Sequence, residues 1–262
     1  MQRDEAGQDG TVGKALGVLD RVAGFGRPVR FAELLEGSDL PKATLYRLLQ
    51  TLLRQDMLTL DPETGRYAPG IRLVRLAHAA WSQSSLAPIA RPHLDRLAHE
   101  VGQTVHLAQL DGAQVLYVDK RGPAAAVRMY SEAGKVGPAY CTGVGKAMLA
   151  FLPEPELEAA LARQAWHRFT PATITDPAAM RDELAAIRAA GHAFDREEHE
   201  PGITCLAMPI LAPSGRVLGA VSITGAGLGV EALMQHRGAQ ARAVADISGD
   251  LRDWRFPDQG ES

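Results

Sequence analysis

The chain has 262 residues, a net charge of −3 and 46% hydrophobic residues. This is an ordinary globular composition, long enough for two domains with their own cores. No run of about 18 apolar residues occurs, so no membrane span is expected. The two cysteines, Cys141 and Cys205, match no metal or redox spacing, so the sequence calls for no cofactor, no metal and a reduced cytoplasm.

The charge is unevenly distributed. Residues 11–82 hold 10 Lys/Arg against 7 Asp/Glu, a net +3, whereas residues 83–262 hold 17 against 21, a net −4. Residues 1–10 are polar, unlike a secretory signal, and read as a disordered tail. The basic excess is modest, so tight binding to nucleic acid requires several copies of the basic segment.

In chain order, Val12, Ala15, Leu16, Leu19, Val22 and Ala23 predict a helix of about three turns. Phe31, Leu34 and Leu35 predict a short second helix, ended by Gly37 in the positive-φ conformation common at helix C-termini. Ser38-Asp39-Leu40 forms a turn, and Pro41 suits the first turn of a third helix. There Leu45, Leu48, Leu49 and Leu52 form a buried stripe. Lys42, Thr44, Tyr46, Arg47, Gln50 and Thr51 are left to face phosphates and base edges, as the second helix of a helix-turn-helix does. Met57–Leu60 has strand character, Asp61–Gly65 is a turn, and Arg66-Tyr67 begins a return strand. That hairpin makes the unit a winged helix, with Arg66 at the wing tip. A plain helical subdomain with a solvated charged face would leave a similar pattern.

Ile71, Leu73, Val74, Leu76, Ala77 and Ala80 predict a connecting helix, and Ser82–Ser85 a domain boundary. Beyond it the pattern predicts a helix at 86–101 closed by Gly102. Strands follow at 104–110 and 114–119 around the Asp111-Gly112 turn, with a third at Val127–Tyr130. A glycine-bearing loop at 134–145 leads to helices near 145–152, 154–164 and 176–190. Strands at 192–197, 204–211 and 217–224 and a final helix at 230–253 complete an α+β domain around one sheet.

Three segments of this domain carry candidate chemistry. Tyr140-Cys141-Thr142-Gly143-Val144-Gly145-Lys146 precedes a helix whose free N–H groups suit an anion; it is not a phosphate loop, and a carboxylate is the better guest. The charge-dense stretch 194–202 is a solvated surface unless Asp195 points inward; His192, Asp195, His199 and Cys205 are all metal-ligand types, at a spacing that is not diagnostic. Ser222 and Thr224 alternate on one strand and share a face, with Cys205 on the strand expected to pair with theirs. A Cys- or metal-centred enzyme acting on a small carboxylic acid is the competing reading, weakened by the absence of an evident His base beside Cys205.

Taken together, LPKATLYRLLQTL, GRYAPG, GVGKAMLA, TITD and GHAFDREEHEPGITCLAMPI, in this order and spacing, make the chain resemble the IclR-type bacterial transcription regulators from about residue 11 to 250. The resemblance implies a winged helix-turn-helix at 11–70, a linker helix at 71–85, a GAF-like effector-binding domain at 86–254 and short tails at 1–10 and 255–262. It also implies a homodimer or dimer of dimers that binds operator DNA and a small organic acid: keto, hydroxy or sugar acid before aromatic acid. By position it implies backbone N–H groups of Gly143 and Val144 on the acid's carboxylate and a pocket wall of Asp195, Cys205, Ser222 and Thr224, with Tyr140 and Met129 among further wall residues. Val144 and Thr224 depart from the commonest family pattern, where Ala and Ser stand, and narrow the pocket.

Overall fold

The computed structural model describes residues 10–84, 86–123 and 131–251. The chain divides into two compact units, Met1–Gln83 and Ser84–Ser262.

In the first unit α1 (Thr11–Gly24), β1 (Val29–Arg30), α2 (Phe31–Glu36) and α3 (Lys42–Arg54) are followed by β2 (Leu58–Asp61), β3 (Arg66–Pro69) and α4 (Ile71–Ser84). The leucines spaced three and four apart on α3 bury Leu45, Leu48, Leu49 and Leu52 against Val18, Leu19 and Val22 of α1 and Leu34 of α2. Each such side chain contributes about 1.5–3 kcal/mol relative to exposure, which fixes α3 by its apolar stripe and turns its polar residues outward. β1 is too short to show a period in the sequence. It pairs with β3 (Val29↔Tyr67), giving an antiparallel sheet in the order β1-β3-β2.

Two local expectations are corrected. Gly37 ends α2 at φ −120°, not in the left-handed region, and its carbonyl accepts from the Arg21 guanidinium. Arg66 is not at the wing tip. It stands opposite Asp61 in the last paired rung, and the tip is residues 62–65. Asp61 builds that turn: its carboxylate accepts from the Glu63 N–H at 2.9 Å and the Thr64 hydroxyl at 2.7 Å, and Gly65 supplies φ +65°.

The second unit runs α5 (Ala87–Val101), β4 (Thr104–Asp111), β5 (Gln114–Arg121), β6 (Val136–Pro138), α6 (Gly143–Leu149), α7 (Glu154–Ala162), α8 (Pro177–Ala190), β7 (Ala193–Arg196), β8 (Ile203–Leu211), β9 (Val217–Ala226), α9 (Val230–Met234) and α10 (Arg237–Asp250). The six strands form one antiparallel sheet in the order β6-β5-β4-β9-β8-β7. Helix α6, every residue of which is buried, lies on the sheet face presenting Ala108, Ala207 and Ala220, with α7 and α8 packed around it. α5 and α10 pack on each other and on strands of the sheet. From α10 the Gln240 amide donates to the carbonyls of Leu206 at 3.0 Å and Val221 at 2.8 Å.

The expected strand at Val127–Tyr130 lies outside the described residues. Three other features differ from the sequence expectation. β6 is the sheet's edge strand (Val115↔Gly137), a place where its proline costs no ladder bond. α6 begins at Gly143 rather than 145. Gly145 sits inside it because the helix passes against Ala139: a Cβ there would lie 2.2 Å from the Ala139 carbonyl oxygen. The final helix is broken at Gln235–His236, where the His236 N–H bonds back to Leu233 at 3.0 Å, a tightened turn with ψ 0° that redirects the chain.

Candidate functional site

Strands β4, β5, β7, β8 and β9, with Ser131 and residues 199–200, converge beside the N-terminus of α6 on a small cavity of about 20 Å³. Gly143 and Val144 form its base. The first intrahelical bond of α6 runs from Lys146 N to Thr142 O at 2.9 Å, so the preceding N–H groups stand outside the helical ladder. Strand alternation brings Ser222 and Thr224 to the same side of β9, and β8 places Cys205 opposite Thr224, with Sγ 3.2 Å from the Thr224 hydroxyl. Asp195, opposite Cys205 on β7, completes the wall.

Asp195 is 4% exposed, and burial together with the negative charge of Glu198 pushes its carboxyl up to about 7, although the Glu198 N–H donates to its Oδ1 at 2.7 Å. The loop after it is held from three sides. The Thr173 hydroxyl donates to the Glu198 carbonyl at 2.7 Å and the Thr170 hydroxyl to the Glu197 carbonyl at 2.7 Å. The fully buried Lys146 ammonium binds Glu198 Oε1 at 2.5 Å and Glu183 Oε1 at 2.9 Å. This explains the TITD landmark: Thr173, with Thr170 just before it, clamps the 197–198 backbone, and Asp176 caps α8 by accepting from Ala179 N at 2.9 Å.

Of the residues singled out from sequence, Gly143, Val144, Asp195, Cys205, Ser222 and Thr224 all line the cavity. Tyr140 does not. Its ring packs against Trp166 at 5.2 Å and its hydroxyl donates to the His167 carbonyl at 2.5 Å, so it is a core residue under the loop. Met129 lies outside the described residues. Sequence reasoning missed His106, Tyr117 and Ser131, which also line the cavity. His106 was the one available signal, the lone titratable residue in the strand TVHLAQL.

The cavity is poorly suited to the competing catalytic reading. Burial, reinforced by Asp195, pushes both thiols, Cys141 and Cys205, far above the ordinary value, so neither forms a thiolate nucleophile. His192 is turned away, its Nδ1 3.0 Å from the Ala190 carbonyl, and among the described residues no three His, Cys, Asp or Glu side chains are arranged to hold a metal ion.

In the first unit, α3 presents Lys42, Tyr46, Arg47 and Thr51 exposed and Thr44 and Gln50 half-buried. Tyr46 stands edge-on to Phe31 at 6.2 Å, and Thr51 donates to the Arg47 carbonyl at 3.0 Å while accepting from Arg54.

The family model described as "Bacterial transcriptional regulator IclR C-terminal" matches residues 78–248, and that described as "IclR helix-turn-helix domain" matches residues 11–62. The chain belongs to the IclR family of bacterial transcriptional regulators. It is 34% identical over 214 residues to the HTH-type transcriptional regulator XynR of Escherichia coli (strain K12), spanning 82% of this chain and 85% of XynR. It is 32% identical over 221 residues to the transcriptional repressor IclR of the same organism, spanning 84% and 81%. The crystal structure of the Thermotoga maritima IclR superposes with a TM-score of 0.75 at 30% identity, over 92% of this chain and 98% of that one. The protein is therefore a DNA-binding transcription regulator and not an enzyme, with a helix-turn-helix domain followed by an α+β effector domain. Among the described residues no helix is long and apolar enough to cross a membrane.

Proposed function

We propose that this regulator is a repressor of a catabolic operon in the cytoplasm that senses a small organic acid in the cavity beside α6. The observation that carries this reading is the convergence of Gly143, Val144, Asp195, Cys205, Ser222 and Thr224 on one buried cavity whose lining mixes polar and apolar groups. The backbone N–H groups of Gly143 and Val144 receive the carboxylate, Ser222 and Thr224 bond its other oxygens, and protonated Asp195 donates to the ligand. Residues 11–70 form the DNA head, 71–85 the linker and 86–254 the sensor. On the DNA side Lys42, Thr44, Tyr46, Arg47, Gln50, Thr51 and Arg66 contact the operator. Two observations support assembly as a homodimer or dimer of dimers. The head's basic excess is small, and it exposes apolar residues on α1 and α4, including Val12 at 75% and Ile71 at 66%. The name of the similar Escherichia coli protein, a transcriptional repressor, supports repression over activation. An acid that binds one arrangement of the assembly better shifts the population and with it DNA affinity.

A thermal-shift screen of the purified protein against keto, hydroxy, sugar and aromatic acids tests the pocket. A ligand of the folded state raises the melting temperature in proportion to the logarithm of its concentration over its affinity. One acid class is expected to shift the wild type and not Ser222→Ala or Asp195→Ala. Equal shifts in wild type and both variants would move the pocket elsewhere.

A further inference from the structure

Helix α6 has the acid cavity at its N-terminus and a second, wider concavity at its C-terminus. This groove, of about 820 Å³, is walled by the β4–β5 turn, the β8–β9 turn, residues 151–153, α7 and Arg188 of α8. No residue lines both the groove and the cavity. Leu110, Phe151 and Val217 of its floor pack on the core but stay half-buried. The polar groups around that floor are mostly donors. Gln109 is 6% exposed; its Oε1 accepts from the Leu86 N–H at 3.2 Å, and among the described residues its Nε2 has no acceptor. The exposed Arg163 guanidinium lies across Gly112, without an ion pair or hydrogen bond among the described residues. Arg188 donates from Nε to the Ala150 carbonyl at 2.6 Å and from Nη2 to the Leu152 carbonyl at 3.0 Å, which holds its guanidinium carbon 5.9 Å from the Phe151 ring centre. Arg216 stands on the β8–β9 turn. Against these three cations the lining holds one acid, Glu156, although residues 83–262 as a whole carry a net −4.

We propose that this groove is a second ligand site, for a multiply charged organic anion whose apolar body covers Leu110, Phe151 and Val217. A planar guanidinium matches a phosphate or carboxylate with parallel hydrogen bonds. Cations set around a concave wall focus their field on an anion, as scattered surface charges do not. The buried Gln109 amide adds a fixed donor, which an apolar ligand without acceptors would leave unpaired. The half-buried floor favours an anion with a hydrocarbon body over a bare inorganic ion. The volume falls within the range of about 300–1,000 Å³ usual for small-molecule sites. None of the lining belongs to the edge strands β6 and β7, so the groove offers no sheet edge for an extended polypeptide to join. A small molecule is therefore the occupant.

The test is isothermal calorimetry on the full-length protein with 1-naphthyl phosphate and naphthalene-2,6-dicarboxylate, which separate a phosphate from a carboxylate source. Inorganic phosphate and 1-naphthol supply the charge and the apolar body alone, and decaglutamate stands for an acidic polypeptide. At least one naphthyl anion is expected to bind about tenfold or more tighter than inorganic phosphate and 1-naphthol, and more weakly as salt rises. Arg163→Glu should weaken it by about tenfold or more. Ala159→Trp, at an exposed lining position of α7, should block it without any change of charge. Both positions are exposed, so both variants should fold, which circular dichroism checks. Equal affinity in wild type and both variants overturns the proposal, as does 1-naphthol binding as tightly as the anions. Anion binding that is lost in Asp195→Ala but kept in the groove variants belongs to the acid cavity and overturns it too. Tightest binding of decaglutamate would give the groove to a protein partner, and absence of binding by both naphthyl anions would leave no small-anion site; either result overturns the proposal.

Discussion

Replacing Lys146 by Met tests the electrostatics behind the pocket. The ammonium is fully buried and holds the carboxylates of Glu198, whose side chain is 3% exposed, at 2.5 Å and of Glu183, 21% exposed, at 2.9 Å. Methionine fills similar volume, so little cavity cost arises and the loss is electrostatic. Glu183 keeps Arg196 at 3.2 Å. Glu198 keeps only the Arg196 backbone N–H at 3.3 Å on Oε1, and its Oε2 already lacks a partner. Breaking one side of a buried pair costs about 3–5 kcal/mol, because the remaining charge stays in a poor solvent; removing both sides is often near neutral. Lys146→Met is therefore expected to destabilise the effector domain by about 3–5 kcal/mol, and Lys146→Met with Glu198→Gln to recover most of that loss. Urea unfolding followed by tryptophan fluorescence measures both, since Trp166 reports on this domain through its contact with Tyr140. Because the Glu198 N–H holds Asp195, the single variant should also weaken acid binding. A single variant within 1 kcal/mol of wild type, or a double variant no more stable than the single, would refute the reasoning.

Three further outcomes follow from the geometry. Arg47→Ala removes a guanidinium from the exposed face of α3 and should weaken operator binding by about tenfold or more and reduce its salt dependence, with acid binding unchanged; equal affinity in gel-shift titrations would exclude Arg47 as a DNA contact. Asp195 holds its proton up to about pH 7 when folded against an ordinary 3.8. Folding stability from this group is thus present below pH 4 and lost as pH rises to 7, and acid affinity should fall between pH 6 and 8; Asp195→Asn should flatten both profiles, and parallel profiles in variant and wild type would reject the assignment. Gly145→Ala drives a Cβ into the Ala139 backbone and should cost about 3 kcal/mol. Gly17→Ala, on the exposed side of α1 with open space around it, should instead stabilise by about 0.5–1 kcal/mol; thermal melts that rank the two alike would undo the packing argument.

The leucine spacing of α3, the Ser222 and Thr224 alternation and the Asp111-Gly112 hairpin were legible because each is a local period or a turn signal, and local geometry fixes which side chains share a face. The family landmarks pointed to Gly143, Val144, Asp195 and Cys205. What the sequence hid is non-local. Lys146 and Glu198 are 52 positions apart, and each sits in a stretch that reads as an ordinary helix or a solvated loop. His106 looks like a core histidine until β9 and Ser131 are brought against it. Tyr140 adjoins the pocket glycines in sequence, yet its ring turns under the 166–169 loop, a direction set by packing with Trp166. β6 was missed because Gly137 and Pro138 signal a turn, and an edge strand tolerates both.

A ligand-responsive regulator requires that occupancy of the cavity change DNA affinity. Fluorescence anisotropy of a labelled operator fragment, isolated by binding selection from genomic DNA, measures it directly. With the acid identified by thermal shift held at saturation, operator affinity should change by about tenfold, a coupling in the usual 1–3 kcal/mol range, in the wild type and not in Asp195→Ala. Operator affinity that is the same with and without saturating acid, or a response preserved in Asp195→Ala, would mean that this cavity does not control DNA binding.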